Sequence, residues 1–107
     1  MNVDDLLKEL NRIGINTNAC LVLPVHRVEG ALCLTREDDG QWLVSSVERG
    51  ESVIENRFPT QEAACSFFLK YVISDPTYFK DFYMEKYELL KKRSAKLLED
   101  FGFQQTS

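Results

Sequence analysis

The chain has 107 residues, 44% of them apolar and 28% charged, with a formal net charge of −4. That length holds one hydrophobic core and not two, and the composition excludes a disordered or fibrous chain. No segment approaches the roughly 20 apolar residues that span a bilayer, and the three cysteines, at unpatterned spacings, argue against a disulfide framework.

The N-terminus, MNVDDLLKELNR, lacks the basic start and apolar run of a signal peptide. With Cys20, Cys33 and Cys65 set among apolar neighbours, the expectation is a cytoplasmic protein with reduced, mostly buried thiols. Val3, Leu6, Leu7, Leu10 and Ile13 recur at helical spacing, so a first helix is predicted over Val3–Ile13. Asp4 and Asp5 suit its positive first turn, and Gly14 permits a left-handed stop. Ala19-Cys20-Leu21-Val22-Leu23 reads as a short strand that Pro24 limits.

Two further strands, Gly30–Arg36 and Gln41–Glu48, flank the turn sequence Glu37-Asp38-Asp39-Gly40. A two-residue Asp39-Gly40 loop sets Thr35 against Val44. A loop of Asp38, Asp39 and a left-handed Gly40 instead sets Leu34 against Val44 and Arg36 against Trp42. A like shift at the Glu48-Arg49-Gly50 turn pairs Trp42 with Phe58 and Val47 with Val53. These registers gather Leu32, Leu34, Trp42, Val44, Ile54 and Phe58 on one face, which favours them. The second face then carries Ala31, Cys33, Leu43, Val47 and Val53 beside Thr35, Ser45, Glu55 and Arg57. That is apolar for a solvated face: a helix partly covers it, or it is a docking surface.

Pro59 and Thr60 mark the next helix start, with Thr60 as N-cap. Ala64, Phe67, Phe68, Tyr71 and Val72 form its apolar stripe, and Ser74-Asp75-Pro76 ends it. A last long helix is predicted from Pro76 to about Asp100, with Phe79, Phe82, Tyr83, Leu90 and Leu97 inward. The predicted fold class is α+β, a single domain over residues 1–107. An antiparallel meander of about four strands packs with one N-terminal and two C-terminal helices.

No catalytic constellation stands out. A nucleophilic pair of the single His26 with Cys20, Cys33 or Cys65 would need an orienting carboxylate, and a surface imidazole beside packed thiols is the simpler reading. Zinc-ligand spacing, phosphate loops and dinucleotide glycine motifs are absent, so no metal or cofactor is expected. Asp38-Asp39-Gly40 lacks the alternating ligands and closing glutamate of a calcium loop. Tyr78, Phe79, Phe82, Tyr83 and Tyr87, near Lys80 and Lys86, resemble a stacking platform for single strands, but Asp81, Glu85 and Glu88 cancel the field.

Charge is uneven. Residues 1–62 hold eleven Asp or Glu against six Lys or Arg, a balance of −5, and residues 63–107 stand at +1. Such a sheet half repels phosphate and attracts a basic protein. Trp42-x-Val44, Glu48-Arg49-Gly50, then Phe58 with Glu62-Ala63-Ala64-Cys65 and Phe68 resemble small bacterial immunity proteins. Those accompany polymorphic and contact-dependent growth-inhibition toxins. The resemblance runs from Trp42 to Leu69, and Thr60-Gln61-Glu62 before the alanines departs from it. It implies a non-enzymatic cytoplasmic protein that binds a cognate toxin C-terminal domain one to one and blocks its active site or substrate channel. A basic nuclease domain would suit the charge, through Glu37, Asp38, Asp39, Glu48, Arg49 and Glu51 on the loop tips. The alternatives are an adaptor or assembly subunit binding through the apolar sheet face around Leu43, Val47 and Val53, and a small hydrolase built on His26 and a thiol.

Overall fold

The computed structural model describes residues 1–26, 28–80 and 84–100. Its elements are α1 (Val3–Ile13), β1 (Cys20–Val22), β2 (Leu32–Arg36), β3 (Trp42–Glu48), β4 (Glu51–Phe58) and α2 (Gln61–Ile73). A 3-10 turn over Pro76–Tyr78 and α3 (Met84–Asp100) complete them. One sheet in the order β1-β2-β3-β4 carries the helices on one face, a single α+β domain.

The helix ends follow their capping residues. The Asn2 side chain accepts from the Asp5 N–H at 2.8 Å while Asp5 accepts from the Asn2 N–H, and Gly14 stops α1 at φ 77. Thr60 Oγ1 accepts from the Ala63 N–H at 3.2 Å, and α2 runs to Ile73 before Ser74. The Val3 N–H donates to Gln61 Oε1 at 2.7 Å, tying the start of α1 to the start of α2.

In the first hairpin, Gly40 at φ 86 closes the Asp38-Asp39-Gly40 loop. Leu34 lies opposite Val44 and Arg36 opposite Trp42, the register that the apolar pattern favours. The second hairpin departs from expectation. Arg49 at φ 51 and Gly50 at φ 78 both take the left-handed conformation, forming the two-residue turn whose twist suits flanking strands. Glu48 therefore faces Glu51, and Val47 faces Ser52, not Val53. Val53 is the extra residue of a bulge that restores Ser46 opposite Ile54 and Trp42 opposite Phe58.

A further difference is direction. β1 pairs with β2 in parallel, Cys20 with Leu32 and Val22 with Leu34, so only β2-β3-β4 is an antiparallel meander. Period-two alternation reads alike in both directions, and residues 23–31 give the chain enough length to cross back.

The last helix also starts later than expected. Phe79 is extended and bridges Ile15, with the Asn16 N–H donating to the Tyr78 carbonyl and the Lys80 N–H to the Gly14 carbonyl, both at 2.8 Å. Backbone groups committed to that bridge cannot also make helical bonds. Of the residues expected inward, Phe79 and Leu90 are buried and Leu97 is half-buried, while Phe82 and Tyr83 lie outside the described residues.

The core gathers on the helical face of the sheet. Leu6, Ile13, Leu32, Leu34, Val44, Phe68, Leu69 and Val72 are fully buried, and α2 lies between α1, α3 and the sheet. Its central place explains why Cys65 and Leu69 are as buried as Ala64 and Phe68. Phe67 and Tyr71, expected in the same stripe, are half-buried at its flank. Fully burying a side chain of the size of Phe68 contributes roughly 2–3 kcal/mol.

Candidate functional site

The six loop residues expected to contact a partner fall at two ends of the sheet. Glu37, Asp38 and Asp39 sit at the β2–β3 turn, and Glu48, Arg49 and Glu51 at the β3–β4 turn. β3 lies between them, and at about 3.3 Å per residue its seven residues span about 20 Å. Asp38, Asp39, Glu48, Arg49 and Glu51 are exposed, and Glu37 is half-buried. Asp39 also shapes its own turn, accepting from the Gln41 N–H at 3.0 Å.

The face opposite the helices joins these two ends. Leu43 is its middle, opposite Thr35 on one side and Arg57 on the other. The Arg57 guanidinium reaches Glu37 Oε1 at 3.0 Å and Glu55 Oε1 at 2.9 Å, bracing the strands across Leu43. The Glu55 hydrogen bond, then the Glu37 charge, raise the Arg57 pKa further above its ordinary value. Five carboxylates, those of Glu29, Glu37, Asp38, Asp39 and Glu55, thus lie on or beside this face, and the Arg57 guanidinium pairs with two of them.

No described helix covers this face. The segment from β1 to β2 crosses it instead, anchored by the Leu23 N–H on the Leu34 carbonyl at 2.8 Å and the Gly30 N–H on the Val47 carbonyl at 2.7 Å. Beneath it is a cavity of about 270 Å³ lined by Val28, Glu29, Ala31, Cys33, Ser45 and Val47. Ala31, Cys33, Leu43 and Ser45 are buried, whereas Val28 and Val53 are more than half open or close to it, at 50% and 59% exposure. The expected apolar second face is therefore present, roofed in part by a loop.

The thiols of Cys20 and Cys65 are poor nucleophiles. Burial, then the neighbouring Cys33, pushes the Cys20 thiol up to about 12, and burial chiefly pushes Cys65 up to about 11. Both stay protonated near neutrality, where the thiolate is the reactive form. His26 is exposed in the loop after Pro24. Among the described residues no group of three His, Cys, Asp or Glu side chains could hold a metal ion, and no helix is long and apolar enough to cross a membrane.

Among the other concave places of the described residues, two are lined mainly by apolar side chains. One of about 300 Å³ lies between α2 and α3 against Phe67, Tyr71 and Ile73, with Lys70 and Lys91 at its edge. The other, about 260 Å³, opens beside Leu7, Leu10, Cys20 and Val22. An aromatic row runs beside the first: Phe58 to Phe67 at 5.1 Å between ring centroids, Phe67 to Tyr71 at 6.2 Å, and Tyr71 to Tyr78 at 6.2 Å. Period two in the sequence already set Glu55 and Arg57 on the second face. Glu29 escaped it, because a crossing loop has no period. Comparisons of the chain with protein-family models, curated proteins and solved structures found no match.

Proposed function

We propose that the protein is an immunity protein that binds a basic toxin domain through the acidic open face of its sheet and the turns at its two ends. The observation that carries this reading is the set of carboxylates from Glu29 past Glu55 and Glu37 to Asp38 and Asp39, of which Glu37 and Glu55 pair with Arg57. A standard interface covers roughly 800 Å² per partner, about 28 Å across, so one partner reaches both turns. Carboxylates on such a face meet the Lys and Arg residues with which a nuclease holds phosphate, and so block its substrate channel. The motif from Trp42 to Leu69 supports the same reading.

The test is the double change Asp38→Lys with Asp39→Lys. Both side chains are exposed at a turn tip, and losing the Asp39 bond to the Gln41 N–H costs only about 0.5–1.5 kcal/mol, so the domain stays folded. Association with the C-terminal domain of the toxin encoded beside this protein slows, because long-range attraction raises on-rates by roughly 10–1,000-fold and is screened by salt. The double variant flattens the salt dependence and weakens growth rescue, while Lys91→Glu changes neither. Unchanged kinetics and full rescue would reject the acidic face.

A second reading is favoured by the cavity under the β1–β2 crossing and the open Val28 and Val53 beside it. An adaptor docking there associates through apolar contacts, and its binding resists salt.

A further inference from the structure

Among the described residues β4 is an outer strand of the sheet, with no strand paired along its far edge. The Leu32 N–H donates to the Ala19 carbonyl and the Leu34 carbonyl accepts from the Leu23 N–H, so the even residues of β2 bond toward β1. Its odd residues then bond toward β3, as the Glu37 N–H does to the Gln41 carbonyl at 2.7 Å. The alternation continues outward: Cys33 and Thr35 exchange bonds with Ser45 and Leu43, leaving Trp42, Val44 and Ser46 for Phe58, Asn56 and Ile54. The N–H and C=O groups of Glu55 and Arg57 therefore point away from the sheet.

We propose that β4 pairs antiparallel with β4 of a second copy of this chain, with Glu55 opposite Arg57 of the other copy. A two-fold axis at Asn56 makes this register self-complementary. Both opposed residues aim their backbone groups outward, so the two Glu55–Arg57 pairs form four backbone hydrogen bonds. Their side chains share one face and pair as opposite charges twice. On the other face Ile54 lies opposite Phe58 of the second copy, beside the aromatic row of Phe67 and Tyr71. The neighbouring registers with matched backbone groups set Glu55 against Glu55 or Arg57 against Arg57, and like charges directly opposite repel. The bulge at Val53 and the missing N–H of Pro59 bound the pairing at its two ends. The joined sheet has eight strands; Glu29, Glu37, Asp38 and Asp39 stay open on each copy, while Glu55 and Arg57 are shared between this seam and the acidic face.

The test is charge reversal read by sedimentation. Glu55→Arg sets Arg against Arg57 in both copies, and Arg57→Glu sets Glu against Glu55. Each variant alone is expected to dissociate at least about tenfold more readily than the parent chain, because two attractive pairs become repulsive. An equimolar mixture of the two restores both opposite-charge pairs and re-forms a dimer, now of one copy of each variant. Circular dichroism confirms that each variant is folded, and Glu55→Pro removes the outward N–H without touching a β3 bond and also yields monomers. A parent chain that is monomeric up to about 1 mM overturns the proposal, with Glu55, Arg57 and the bulge then acting as guards against edge pairing. A dimer indifferent to all three changes, or two folded variants that fail to associate when mixed, overturns it equally. None of these readouts involves the toxin.

Discussion

Ser94 offers a substitution that should strengthen the protein. α3 turns Tyr87, Leu90, Ser94 and Leu98 inward, and Ser94 is completely buried. Its Oγ makes no hydrogen bond. An unsatisfied buried hydroxyl costs about 1–3 kcal/mol, and alanine is the better helix former by about 0.5 kcal/mol. Against this stands the loss of one atom's packing, a fraction of a kcal/mol. Ser94→Ala is therefore expected to stabilise the domain by about 1–2 kcal/mol. For a chain near this size each kcal/mol raises Tm by about 4–8 °C. The assay is equilibrium urea unfolding followed by Trp42 fluorescence, where the midpoint moves up and the slope stays constant. Ser94→Thr, which keeps the hydroxyl and adds a methyl to a filled site, is expected to destabilise. A Ser94→Ala protein no more stable than its parent would show that the hydroxyl is satisfied in solution, and the reasoning would fail.

Trp42 is 8% exposed, lies opposite Phe58 and carries the Arg36 guanidinium 5.6 Å from its ring centre. Trp42→Ala is expected to cost about 3–5 kcal/mol, a large part of the roughly 5–15 kcal/mol that holds such a domain folded. A loss below about 1 kcal/mol by circular dichroism would contradict its place in the core. The thiols give a pH prediction. Unfolded thiols titrate near 9, against about 12 for folded Cys20 and about 11 for folded Cys65. Below pH 9 their contribution to stability is fully present. Above it the unfolded chain loses these protons first, so stability falls from pH 9 upward. Urea midpoints at pH 8 and pH 10.5 measure the fall, and Cys20→Ala with Cys65→Ala should flatten it.

How far the fold could be read from residues depended on whether the residues carried direction as well as pattern. Gly14 and Thr60 are capping residues that act locally, and α1 ends and α2 begins where they stand. Leu34 opposite Val44 was legible because a one-residue slip would have turned the apolar set outward. The second turn was harder: the two-residue preference of Arg49-Gly50 and the apolar pattern of Trp42 and Phe58 demand different registers, and a bulge at Val53 satisfies both. β1 gave no direction, because alternation is symmetric along a strand. The expected helix at Pro76 failed on a contact with Ile15, which lies more than sixty residues away and leaves no local sign. For the candidate face, the acidic turns were visible in sequence, but their separation by the length of β3 and their link through Arg57 were not.

The small bridge between Ile15 and Phe79 bears on how the chain can be divided. It clasps the exit of the first helix to the entry of the last, closing a ring around the whole sheet and α2. α3 is thus held both by its own buried residues against α2 and by the clasp before it. A fragment beginning after residue 16 would keep all four strands and still lose the strand partner of Phe79 that guides α3 onto the core. α1 and α3 are parts of one cooperative unit, and complementation by a separate N-terminal peptide, not trimming, is the way to probe it.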